Sequence, residues 1–175
     1  MPETIRSFHH RDFADTATMV RLKESLGLKV SLCIPTLNEE GTIARVVSIL
    51  REELVVRHSL LDELVVIDSG SSDRTRALAA EAGAEVILAS EILPFQGKRM
   101  GKGENLWKAV HHLSGDILSF VDGDIGNIHP RFVLGTVGPL LLEPELAYVK
   151  GFYERPLLAA EGVDPRGGGR VTEIL

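Results

Sequence analysis

The sequence predicts an α/β protein, a mainly parallel sheet with helices on both faces, and three observations carry that expectation. Short apolar runs rich in β-branched residues recur at Val30 to Pro35, Glu63 to Asp68, Glu85 to Ala89 and Asp116 to Val121. Between most of them lie segments whose apolar residues step by three and four, the period of an amphipathic helix. The first, second and fourth runs give way to polar loops rich in Asn, Asp, Glu, Ser and Gly. Continuous apolar strands are covered on both faces, and their alternation with helices implies parallel crossovers. Ligands of such sheets bind beyond the carboxyl ends of the strands.

Residues 1–28 carry mixed charge and read as an N-terminal extension, with a short helix between Ala14 and Leu28. Val30 to Pro35 is a buried strand stopped by proline. After the loop Thr36-Leu37-Asn38-Glu39-Glu40-Gly41, a helix is marked by Ile43, Val46, Val47, Leu50 and Leu54. Glu63 to Asp68 forms the second strand, Ser69-Gly70-Ser71-Ser72-Asp73 a loop, and Arg74 to Ala82 a helix ended by Gly83. Glu85 to Ala89 is the third strand. A helix over Glu104 to Leu113 precedes the fourth strand, whose end carries Asp122-Gly123-Asp124. Another helix begins near Pro130, which has no N–H to leave unpaired in a first turn. Beyond Glu143 the pattern gives a strand, Ala147 to Phe152, then a glycine-rich stretch through Gly167-Gly168-Gly169 and a helix starting at Val171.

Composition bounds the function. A chain of 175 residues, 44% hydrophobic, suits one globular domain with its own core. Nineteen Lys and Arg against 25 Asp and Glu leave a net charge of −6, which argues against general nucleic-acid binding; any phosphate contact must be local. Cys33 has no internal partner and reads as a small buried hydrophobe, consistent with a reducing cytoplasm. No apolar stretch approaches the ~18 residues of a membrane span, and the start lacks an export signal's apolar region. The expected location is cytoplasmic.

Asp122-Gly123-Asp124 is the sharpest chemical signal. In extended backbone the two carboxylates point the same way, and ~5 Å apart at an effective dielectric of ~20 they repel by about 3 kcal/mol. A divalent cation between them removes that repulsion, and hard oxygen ligands suit Mg²⁺ or Mn²⁺ completed by substrate phosphates. Gly123 permits close approach of backbone and ligand. The alternative is a solvated turn whose aspartates cap Gly126 to Ile128 or the next helix. Gln96 to Glu104 places three cations and three glycines in nine residues just before a helix, which suits a diphosphate, the alternative being a mobile basic loop. It is not a Walker A loop, because Gly103 follows Lys102 where Ser or Thr is needed; nor is it a dinucleotide fingerprint. Asn38 and Glu39 are candidates for a base or ribose, and Asp68-Ser69 for sugar or phosphate oxygens, with helix capping as the other reading of each.

The series Pro35-Thr36-Leu37-Asn38-Glu39-Glu40, Ile67-Asp68-Ser69-Gly70-Ser71-Ser72-Asp73-Arg74-Thr75, Gly101-Lys102-Gly103-Glu104, Gly115-Asp116-Ile117 and Asp122-Gly123-Asp124 resembles GT-A glycosyltransferases, whose core is Rossmann-like. Asn127 to Leu142, Phe152-Tyr153-Glu154-Arg155-Pro156 and Gly169-Arg170-Val171-Thr172-Glu173 narrow this. Together they resemble the glucosyl- and mannosyl-3-phosphoglycerate synthases of glycosyltransferase family 81. The resemblance implies a nucleotide-sugar-binding core over 29–152 and the start of an acceptor region over 153–175. It implies that Pro35, Thr36, Leu37, Asn38 and Glu39 line the nucleotide pocket and that Ser69, Lys102, Asp122 and Gly123 contact the nucleotide sugar. Asp124 is then the direct metal ligand, with Lys102 beside it in catalysis, and Gly169, Arg170, Val171 and Thr172 take the phosphoglycerate. Glucosyl-type members often carry serine between the aspartates, so Gly123 tilts this reading toward a mannosyl donor. The family's enzymes also continue well past the Arg-Val-Thr segment, where a second metal ligand, a histidine, is expected.

The function so implied is retaining transfer of mannose or glucose from GDP-mannose or UDP-glucose to the 2-hydroxyl of D-3-phosphoglycerate, by an enzyme that works as a homodimer with Mg²⁺ or Mn²⁺. The metal and Lys102 would neutralise the departing diphosphate, and with no evident nucleophile a front-face substitution fits. Two alternatives stand beside it: a haloacid-dehalogenase-like phosphotransferase, where D-x-D supplies nucleophile and acid, and a sugar-nucleotide-binding module without turnover.

Overall fold

Every residue of the first strand, β1 (Val30–Thr36), is buried, and its neighbours explain why. It lies between two parallel partners: Ser31 to Thr36 pair with Glu63 to Asp68 of β2 (Glu63–Asp68), and Val30 to Cys33 with Ile117 to Phe120 of β4 (Ile117–Phe120). With β3 (Glu85–Leu88) beyond β2, the order is β3-β2-β1-β4, all parallel. The computed structural model describes residues 6–96, 102–151, 157–159 and 162–164.

Alternation along the strands builds two cores. Val30, Leu32 and Ile34 of β1 join Leu64 and Val66 of β2 on one face, against Ile43, Val46, Val47 and Leu50 of α2 (Ile43–Arg51) and Val133, Val137 and Leu141 of α5 (Arg131–Leu142). On the other face Cys33, Val65 and Ile67 meet Ala89, Ile92 and Ala109, the last from α4 (Lys102–His112). Helices therefore cover both faces, as the apolar runs require. Cys33 is fully buried, and burial pushes its thiol up to about 12, so it packs as a hydrophobe.

Proline does not stop β1. Cys33 accepts a bond from Val121 on the β4 side, and Thr36 accepts one from Ser69 on the β2 side, so Pro35 faces the β4 side. The β4 ladder ends opposite Cys33, and no donor is needed at Pro35.

Residues 6–28, expected as an extension, belong to the core. A helical turn at His10–Phe13 leads into α1 (Thr16–Leu26), and Phe13 and Met19 are buried among the residues of α2 and α5. Gly138 of α5 makes room for the Phe13 ring; a Cβ there would lie 2.3 Å from Phe13 Cδ1. Lys23 of α1 is also buried, its ammonium donating to Ser59 O at 2.9 Å and pairing with Asp62 Oδ2 at 2.9 Å.

Helix α2 continues through a π-helical stretch, Glu52–Arg57, and α3 spans Thr75–Glu81, followed by Gly83 with φ 95°. The strand expected at Ala147 to Phe152 is corrected over its described part. Ala147 to Gly151 pair with no strand among the described residues, and Tyr148 is exposed, so the run lacks the ladder that would make it a strand. A short antiparallel pair, β5 (Leu157–Ala159) with β6 (Gly162–Asp164), occupies the glycine-rich region instead. The helix expected from Val171 lies outside the described residues.

Candidate active site at the carboxyl edge

Parallel strands deliver the loops after β1, β2 and β4 to one edge, and hydrogen bonds tie the first two loops together. Asn38, in the left-handed region at φ 57°, donates its backbone N–H to Ser71 Oγ at 2.8 Å and accepts from the N–H of Ser72 on Oδ1 at 2.9 Å. Glu39 N–H donates to Thr75 Oγ1 at 2.7 Å, Glu40 N–H to Asp73 Oδ2 at 3.2 Å, and Arg74 N–H returns to Glu40 Oε2 at 3.0 Å. The loops behave as one rigid wall. Leu37 stands exposed on it, while Pro35 and Thr36 are buried in β1 beneath. The Asn38 carboxamide oxygen, a candidate for the base, is engaged in this wall.

Asp68 also turns out to be structural. Fully buried, it accepts from Gly70 N–H at 2.9 Å, Ser71 N–H at 2.7 Å, Ser71 Oγ at 2.5 Å and Thr36 Oγ1 at 3.2 Å, so its carboxylate holds the loop and is not presented to sugar or phosphate. Ser69 is half-buried and donates its hydroxyl to Asn105 Oδ1 at 3.0 Å, while Asn105 Nδ2 donates to Ile67 O at 2.9 Å. That pair joins the second loop to α4, the helix opened by Lys102.

The Asp122-Gly123-Asp124 turn sits against the first loop. A Cβ on Gly123 would meet Thr36 Cγ2 at 2.9 Å and Glu39 Cγ at 3.6 Å, so glycine is what lets the turn seat there. Thr42, just before α2, donates its hydroxyl to Gly123 O at 2.7 Å. Asp124 is exposed and Asp122 half-buried. Glu39's carboxyl is held above its ordinary value by burial first, then by the charges of Asp124, Asp73 and Asp122.

The edge thus concentrates negative charge that a hard cation would relieve. Among the described residues no group of three or more His, Cys, Asp or Glu could hold a metal ion. A Mg²⁺ or Mn²⁺ ion held by one or two carboxylates and completed by water and phosphate oxygens needs no such group, and Asp122 and Asp124 fit that donor set.

Pro35, Thr36, Leu37, Asn38, Glu39, Ser69, Asp122, Gly123 and Asp124 therefore share one edge. The Lys102 side chain, residues 97–101 and the expected acceptor residues Gly169, Arg170, Val171 and Thr172 lie outside the described residues. Sequence reasoning missed Thr42 and Asn105. Asn105 left a trace, a polar residue on the helix face that also carries Ala109. Thr42 left none, because a lone threonine before a helix reads as an ordinary cap.

Comparison with known proteins shows what the chain and its fold are similar to. The chain is 52% identical over 170 residues to the glucosyl-3-phosphoglycerate synthase of Petrotoga mobilis, covering 97% of this chain and 52% of that one. The crystal structure of mannosyl-3-phosphoglycerate synthase from Rubrobacter xylanophilus superposes with a TM-score of 0.84 at 33% identity, over 97% of this chain and 51% of the other. Glucosyl-3-phosphoglycerate synthase from Mycobacterium tuberculosis, in complex with Mn²⁺, UDP and glucosyl-3-phosphoglycerate, superposes with a TM-score of 0.65 at 38% identity, over 79% and 46%. The same mycobacterial protein in complex with Mg²⁺ and UDP gives 0.64 at 38%, over 78% and 45%. The chain spans about half the length of the curated relatives it matches. Its sheet is the Rossmann-like core of the GT-A fold. Residues 31–137, from β1 into α5, match the pattern of Glycosyl transferase family 2, and the chain belongs to that family.

Proposed function

We propose that this chain is the nucleotide-sugar-binding part of a retaining, metal-dependent hexosyltransferase that moves a hexose from a UDP- or GDP-sugar to the 2-hydroxyl of D-3-phosphoglycerate. The observation that carries the reading is the charged edge, where Asp122, Asp124 and Glu39 crowd beside a rigid loop wall at the ends of parallel strands. Asp124, exposed, is the residue we assign to hold Mg²⁺ or Mn²⁺, which when bound supplies positive charge to the leaving diphosphate. Lys102, at the start of α4, adds a second positive group there, and Glu39 orients polar groups of the donor from the half-buried side. The wall of Leu37, Asn38 and Glu39 excludes water from the nucleotide and presents a preformed surface to it.

Glucose is the sugar placed first. The relative at 52% identity is named for glucosyl transfer, and Gly123, whose presence suggested mannose, has a packing reason in Thr36 that says nothing about the sugar. Residues 153–175 open the acceptor region, with Gly169, Arg170, Val171 and Thr172 receiving carboxylate or phosphate through Arg170's planar fork and neighbouring N–H groups. A homodimer and a cytoplasmic location complete the reading; no helix among the described residues is long and apolar enough to cross a membrane. Family membership sets aside the phosphotransferase alternative.

The test incubates the full-length polypeptide with 3-phosphoglycerate and UDP-glucose or GDP-mannose and identifies products by mass spectrometry. Hexosyl-3-phosphoglycerate is expected with Mn²⁺ and is lost with chelator or in Asp124→Asn. No metal-dependent transfer from either donor overturns the proposal, and nucleotide binding without transfer would identify a binding module.

A further inference from the structure

The buried side of α4 is unusually polar for a helix laid on a sheet. Asn105 is 2% exposed, and Lys108 and Ala109 are fully buried. Burying an amide or an ammonium costs desolvation that an apolar residue avoids, and well-packed apolar replacements of buried ion pairs are often at least as stable. Stability alone does not account for this face.

Direction does. Asn105 Nδ2 donates to Ile67 O at 2.9 Å, near the carboxyl end of β2. Lys108 Nζ donates to Ala89 O at 2.5 Å, just past β3, and pairs with Glu104 Oε1 at 2.8 Å. Apolar contacts let a helix slide along its axis, whereas hydrogen bonds to fixed carbonyls do not. Both anchors lie on the carboxyl edge of the sheet, the edge that also carries the aspartate turn after β4. Lys102 lies three residues before Asn105, one turn away along α4.

We propose that Asn105 and Lys108 are positioning residues for donor binding: they fix α4 along its axis so that Lys102 meets the diphosphate in register with Ser69 and the aspartate turn. This rests on the assignment of Lys102 and the aspartate turn to the nucleotide sugar. Neither side chain is assigned a donor contact: Lys108 acts through the start of α4, and Asn105 acts both through it and through Ser69, whose hydroxyl its Oδ1 accepts.

The experiment is a double-mutant cycle in the full-length polypeptide, with UDP titrated calorimetrically in the presence of Mn²⁺. Lys102→Ala and Lys108→Met are each expected to weaken UDP by about tenfold or more, and the double variant to bind no more weakly than Lys102→Ala alone. Asn105→Ala, which also frees the Ser69 hydroxyl, is expected to weaken UDP at least as much as Lys108→Met, while affinity for 3-phosphoglycerate stays unchanged in all of them. If Asn105→Ala does not fold, Asn105→Asp, which keeps the acceptor for Ser69 but loses the donor to Ile67 O, replaces it. Losses that multiply in the double variant overturn the positioning role while leaving Lys102's assignment intact. Unchanged UDP affinity in Lys102→Ala overturns that assignment, and the positioning role with it.

Discussion

Gly123→Ala tests how tightly the aspartate turn is seated. A Cβ at this position lies 2.9 Å from Thr36 Cγ2, against 3.6 Å from both Glu39 Cγ and Ile34 Cγ2. Carbon atoms rest about 3.5–4.0 Å apart, so the Thr36 contact is short by roughly half an ångström while the other two are ordinary. Thr36 has little room to yield, being 3% exposed with its hydroxyl bonded to the buried Asp68 carboxylate. The turn is itself held from the other side by Thr42 through the 2.7 Å bond to Gly123 O. Overpacking of this kind costs about 1–3 kcal/mol, and if the turn moves to relieve it the cost appears as a loss of about 5- to 150-fold in metal-dependent nucleotide affinity. Calorimetric titration of UDP with Mn²⁺ reads that loss, and a melting curve separates it from unfolding. Thr36→Ser removes only the offending methyl and keeps the hydroxyl, so Gly123→Ala with Thr36→Ser is expected to recover to within about threefold of the parent. A neutral Gly123→Ala, or a double variant no better than the single, would refute the packing argument. If the packing argument holds, serine at 123 is tolerated only where residue 36 is smaller than threonine.

The same structure sets three further outcomes. Glu39's raised pKa means the fold holds that proton to higher pH than the unfolded chain, so its contribution to stability is lost as pH rises through the raised value; Mn²⁺ is therefore expected to raise the melting temperature most near about pH 7 and progressively less toward about pH 4, and a pH-independent increment would count against the site. Gly138→Ala drives a Cβ to 2.3 Å from the buried Phe13 ring and is expected to destabilise the fold by about 1–3 kcal/mol, read as a lower denaturant midpoint at unchanged slope; an unshifted midpoint would show that the ring can move aside. Cys33, with its thiol pushed up to about 12, should react with a thiol reagent only at the rate of unfolding, and rapid labelling of the native protein would contradict its place in the core.

The parts of this molecule that the sequence makes legible are those in which a local pattern reports a global environment. The apolar runs of β1, β2 and β4 are readable because strands covered on both faces admit little else, and the aspartate turn because like charges so close demand a partner. Other features depend on distant residues. Residues 6–28 read as an extension because a mixed-charge segment hides its buried phenylalanine, Phe13, and only the gap left by Gly138 shows where that ring goes. The carboxylate of Asp68 reads as available until Thr36 and Ser71 are seen to close on it. Ala147 to Gly151 carry an extended pattern, but pairing is a property of two segments and no sequence run contains its own partner.

The stitched wall between the loops after β1 and β2 has a thermodynamic consequence. Backbone bonds of Asn38, Glu39, Glu40, Ser72 and Arg74 are already closed within the protein, so these residues surrendered their conformational freedom when the chain folded. A nucleotide bound there as proposed would have nothing to order on that side. Its affinity should then be nearly indifferent to substitutions within the wall itself that leave these hydrogen bonds in place.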